Sequence, residues 1–127
     1  MGMLDGVKIV SFNHFMLGPL AAQNLGDLGA DVVMIEPIGG AFQRQWGGGN
    51  TFVGGESVAF LVANRNKRSI ALDLKLDAGR DIALALMKDA DVVMENFRPD
   101  IMGRLGLGWE TARAANPRLI FASASGW

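Results

Sequence analysis

The sequence predicts an α/β layer fold: an open, mostly parallel sheet of about five strands flanked by helices. Three observations predict it. Short runs rich in β-branched residues alternate with helical stretches along the chain. Two of those runs, "DVVMIE" and "DVVME", are almost continuously apolar, which signals burial on both faces. The 127 residues, half apolar and a fifth charged, suit one domain with a real core.

Each element can be read in order. Residues 6–12, "GVKIVSF", form a first strand. Residues 18–29 form a helix, with Pro19 suited to its first position and Gly29 to its end. Residues 31–37 are the second strand. Residues 38–57 carry little periodicity and much glycine, five of them between Gly47 and Gly55. A structureless stretch of that length inside a domain is usually functional or bound to a partner. Residues 57–65 read as a short helix and residues 69–74 as a third strand. Residues 77–90 are the clearest helix. Asp77 can cap it, Lys88 suits its last turn, and Ile82, Leu86 and Ala90 make a core-facing row. Residues 91–97 are the fourth strand. Two short helices follow, the first opened by Pro99. Residues 118–126 are the fifth strand. It ends at Trp127 with no helix to cover it, so we expect further chain or a partner to finish the layer.

Composition removes several classes of function. The formal charge is −1, without the basic excess of a nucleic-acid surface. No apolar run approaches the ~20 residues of a membrane span, and the start lacks the pattern of a signal peptide. There is no cysteine and one histidine, so we expect no disulfide, no thiol nucleophile and no metal site. These totals fit a cytoplasmic protein.

In open parallel sheets, ligands bind beyond the carboxyl ends of the strands. Here those ends read "SFNHFMLGP", "IEPIGG", "LDLK", "ENFRP" and "SASGW". A dinucleotide fingerprint needs G-x-G-x-x-G in the first turn and an acid after the second strand. Glu36 suits the acid, but the first turn holds only Gly18, which argues against a nicotinamide or flavin. Cations are more telling. Arg65, Lys67 and Arg68 precede the third strand, Lys75 follows it, and Arg98 and Arg104 follow the fourth. Guanidinium groups bind phosphate through charge-assisted hydrogen bonds. Phe97 could wall a purine, and Asn96 could meet a base or an amide. The set suits a ligand with a base, several phosphates and an amide-bearing arm. Plainer readings stand beside it. "NRNKRS" could be a solvated charge run, Asn96 could cap the turn into Pro99, and His14 could be a hydrogen-bonded loop residue. Trp46 and Trp109 could be packing anchors.

Five motifs, "LDGVKIVSF", "LGADVVMIEP", "NRNKRSIALDLK", "ADVVMENFRPDIMGRLGLGWE" and "NPRLIFASASGW", resemble in order and spacing the N-terminal part of the class III (CaiB/BaiF-type) coenzyme A transferases. That family includes formyl-CoA and carnitine-CoA transferases and α-methylacyl-CoA racemase. The resemblance implies a Rossmann-like domain, residues 1–127, that binds CoA as the N-terminal part of a longer enzyme and is inactive alone. CoA contacts are implied at Asn96, Phe97 and Arg98, at Arg104, at Leu72 and Lys75, and on the first loop at His14, Phe15, Met16 and Leu17. The sequence departs from formyl-CoA transferase at Met16, where that enzyme has a polar residue, and at Pro37, where it has a basic one. The implied chemistry moves CoA from an acyl-CoA to a carboxylic acid through an aspartyl anhydride. The aspartate matches no residue of 1–127. CoA is a substrate, no further cofactor is implied, and the implied assembly is an interlocked homodimer. A racemase-type enzyme and a non-catalytic CoA-binding or nucleotide-binding module remain alternatives.

Overall fold

The computed structural model describes residues 1–126. Trp127, which closes the "SASGW" segment, lies outside the described residues. The main sheet has five parallel strands: β1 (Lys8–Phe12), β2 (Asp31–Glu36), β5 (Lys67–Ala71), β6 (Val92–Glu95) and β7 (Ile120–Ser123), in the spatial order β5-β2-β1-β6-β7. The expected fold class is the observed one. Helices α1 (Leu17–Asp27), α2 (Val58–Ala63), α3 (Asp77–Lys88), α4 (Ile101–Arg104) and α5 (Trp109–Ala115) supply the crossovers.

Strand alternation divides the core in two. Ile9 and Val32 pack with Ala22 and Ala30 beside α1. Val10, Phe12, Ile35 and Val93 pack on the opposite side with Ala83, Met87, Met102, Leu107, Ala112 and Leu119. From β1 the chain steps outward to β2 and β5, then returns to lay β6 and β7 on the other side. The strand order therefore reverses between β1 and β6, and a doubly wound sheet opens its ligand crevice at such a point.

Several expectations shift in detail. Pro19 is the third residue of α1, not the first. Strand β5 begins two residues before the expected start, taking in Lys67 and Arg68. Asp77 is the first residue of α3 and pairs with Arg80; Leu76 is the cap. The buried row of α3 is Gly79, Ala83 and Met87; of the expected row, Ala90 is buried and Leu86 packs half-buried on the core, but Ile82 is exposed. A Cβ on Gly79 would lie 2.1 Å from the Asp73 carbonyl oxygen. The first turn of the helix comes so close to the preceding loop that only glycine fits at position 79, while Met87 fills the core further along the same face.

The glycine-rich stretch is also more ordered than its sequence suggests. It holds two 3-10 turns, Phe42–Arg44 and Gly48–Asn50, and a small antiparallel ribbon of β3 (Phe52–Val53) and β4 (Glu56–Ser57). Gly54 and Gly55 both adopt positive φ between those strands, as a primed two-residue turn requires. Ser57 then caps α2: its Oγ accepts from the Phe60 N–H at 3.2 Å.

Candidate functional site

The crevice between β1 and β6 is bounded by the first loop and by "ENFRP", the stretch with the densest polar chemistry. Asn96 clamps one to the other. Its Oδ1 accepts from the His14 backbone N–H at 2.8 Å, and its Nδ2 donates to the His14 carbonyl at 2.8 Å. The turn-capping alternative for Asn96 is thus replaced by a long-range brace. The His14 imidazole meets the Phe97 ring edge-on, 5.0 Å between centroids. Partial burial lowers the His14 pKa, with Glu95 opposing, so the ring is neutral at physiological pH. Glu95 is itself buried; it accepts from the Phe97 N–H at 2.9 Å and from Ser123 Oγ, tying the ends of β6 and β7 together.

A cavity of about 150 Å³ lies against His14, Phe97, Pro37 and Phe42. A second, of about 400 Å³, is lined by Arg98, Asp100, Trp109 and Phe121. Phe97 and Arg98, adjacent in sequence, therefore face different cavities. The largest cavity described, about 490 Å³, sits at the opposite rim beside Lys8, Asp31 and Arg68, where the strands begin. It lies away from the residues gathered at the crevice.

The cations sort cleanly by rim. Arg65 pairs with Asp27 and Arg68 with Asp31, each at 2.6 Å. Lys67 donates to the carbonyls of Pro19 and Ala63 and to Asn64 Oδ1, at 2.7, 2.8 and 2.8 Å, and burial lowers its pKa to about 8. The "NRNKRS" cations are thus structural and stand at the amino ends of the strands. Lys67→Met would leave three acceptors without their donor. It is expected to cost about 1–3 kcal/mol, read as a lower urea midpoint. By contrast Lys75, Arg98 and Arg104 are exposed and make no ion pair among the described residues. Lys75 follows the carboxyl end of β5, and Arg98 follows that of β6, with Arg104 at the end of α4. Leu72 is buried, while Met16 and Leu17 are exposed at the start of α1.

Sequence reasoning missed one partnership. Glu36 is 3% exposed, and its carboxylate accepts from Ala41 N–H, from Arg44 Nε and a terminal Arg44 nitrogen, each at 2.7 Å, and from Ser69 Oγ. Burial pushes its pKa up, but the bonds from Arg44, Ser69 and Ala41 prevail and bring it to about 2. A carboxylate so engaged has no capacity left for a ribose hydroxyl, which closes the dinucleotide reading. The signal in the sequence was Arg44, the sole cation among residues 38–57.

The sequence profile of CoA-transferase family III matches residues 4–127. The chain belongs to that family. This CoA-transferase family III chain is 43% identical over 127 residues to an acetyl-CoA:oxalate CoA-transferase of Acetobacter aceti, covering 99% of the chain and 32% of that protein. It is 42% identical over 125 residues to a human succinyl-CoA:glutarate CoA-transferase, covering 98% and 28%. Its fold superposes on a CAIB/BAIF family protein from Brucella suis with a TM-score of 0.89 at 40% identity, over 96% of this chain and 33% of the other. The family III chain thus spans about a third of the length of the relatives it matches.

Proposed function

We propose that the chain is the CoA-binding unit of a CoA-transferase that moves CoA between an acyl-CoA and a carboxylic acid. One observation supports this: His14, Asn96 and Phe97 meet where the strand order reverses between β1 and β6, and Arg98, which makes no ion pair among the described residues, follows directly on β6. The cations suit the phosphates of CoA, and His14 with Phe97 lines the way for its thiol arm. Glu95 and Asn96 hold those groups in place. CoA enters as substrate, with no resident cofactor. A cytoplasmic homodimer belongs to the same reading; Ile82 and Ile120, exposed on the flanks of the layer, offer it apolar surface.

Calorimetric titration of the 127-residue chain tests the reading. CoA is expected to bind weakly and NAD not at all, because Glu36 is occupied and the first turn lacks the fingerprint glycines. NAD binding as tight as CoA would reject it.

A further inference from the structure

We propose that the side-chain amide of Gln43 reads one of the amides on the arm of CoA, at the cavity beside His14 and Phe97. This role rests on the CoA reading above.

Gln43 is 1% exposed, yet neither its Nε2 nor its Oε1 has a hydrogen-bond partner among the described residues. Buried polar groups are nearly always paired, and an amide left with both ends unmet costs stability. Gln43 also lines the cavity of about 150 Å³ that reaches His14 and Phe97. That space is several times the ~30 Å³ share of one water. An unmet donor and an unmet acceptor therefore belong to the wall of a space that continues from the proposed site.

The neighbouring amides are already spent. Asn96 gives both ends to the His14 backbone. Asn13 lines the cavity too, but its Nδ2 donates to Ser11 Oγ at 2.9 Å, and its Oδ1 packs so closely on Gly18 that a Cβ there would strike it. Gln43 is the amide left for a ligand.

The lining selects the ligand group. Phe12, Ile35, Phe42 and Phe97 make the wall apolar, and none of the described Lys, Arg, Asp or Glu residues lines it. A charged group entering there would lose its water with no counter-charge to meet it, a penalty that a neutral amide avoids. The arm of coenzyme A carries two secondary amides, each with one N–H and one carbonyl. Gln43 Nε2 donates to such a carbonyl, and Oε1 accepts from such an N–H.

Gln43 is also held still. It is the middle residue of the 3-10 turn Phe42–Arg44. Before it, the Ala41 N–H donates to Glu36 at 2.7 Å; after it, Arg44 donates twice to the same carboxylate. A buried side chain on so fixed a turn has little freedom left to lose, which lowers the ordering cost of binding.

Isothermal titration of the parent and of Gln43→Met with CoA and with 3′-phospho-ADP, the nucleotide of CoA without its arm, tests this. Methionine keeps the bulk and removes the donor and the acceptor. CoA is expected to bind about tenfold more weakly to the variant, the loss of two neutral hydrogen bonds, with 3′-phospho-ADP unchanged. The urea midpoint of the variant is expected to rise, because no unpaired amide remains in the fold. If the variant fails to fold, the Gln43 side-chain amide resonances of the ¹⁵N-labelled parent give a second reading: a shift with CoA and none with 3′-phospho-ADP. An unchanged CoA affinity, an equal loss for both ligands, a lower urea midpoint or resonances that ignore CoA would overturn the role of Gln43 and leave the CoA site standing. Binding of neither ligand by the parent would remove both.

Discussion

Glu36→Ala is expected to destabilise the chain by about 3 kcal/mol, the low end of what breaking a buried ion pair costs. The low end applies because Arg44 is partly exposed and keeps Glu56. The substitution strands the Ala41 N–H, the Ser69 hydroxyl and two guanidinium donors together. It also cuts the ties that Ala41 and Arg44 make from residues 38–57 to the end of β2. Urea unfolding followed by circular dichroism measures the loss; a midpoint equal to the parent's would show that the pair contributes nothing. Glu36→Gln keeps an acceptor for Ala41 and is expected to cost less. The same carboxylate sets an acid limit. Its folded pKa of about 2 lies below the ordinary 4.5, so the folded state binds fewer protons than the unfolded one. Its stabilisation is fully present above about pH 4.5 and disappears as pH falls through 2. Glu36→Gln should flatten the stability profile across that window.

The strands and the parallel sheet were legible because their signal is local. A continuous apolar run such as "DVVMIE" must be covered on both faces wherever it sits. What escaped the sequence depends on how segments approach one another in space. Ile82 outweighs Gly79 in apolar bulk, so periodicity turns Ile82 to the core along with Leu86 and Ala90, which do pack there. The fold instead sets Gly79 against the Asp73 carbonyl and leaves Ile82 exposed. Cations posed the same problem. "NRNKRS" looks like a phosphate cradle until Asp27 and Asp31, some forty positions earlier, are found beside it. Asn96 offers an amide to a ligand, but only the fold shows that His14, 82 positions away in the chain, takes both ends of that amide.

The double substitution Arg98→Ala/Arg104→Ala is expected to weaken CoA about a hundredfold, with little change in stability. Each charge-assisted bond to phosphate is worth ~1.5–3 kcal/mol when well made, and exposure to water places both at the lower bound, about tenfold apiece. Stability should hold because neither side chain makes an ion pair among the described residues, so nothing buried is left unpartnered. This separates the two arginines from Lys67, whose removal should do the reverse: lower the urea midpoint and leave CoA affinity nearly as it was. The single Arg104→Ala should weaken CoA more than dephospho-CoA if Arg104 meets the ribose phosphate. Equal losses would move Arg104 to the pyrophosphate. Intact CoA affinity in the double variant would mean that these cations do not hold the ligand, and the fold's crevice would have to be filled by another chemistry.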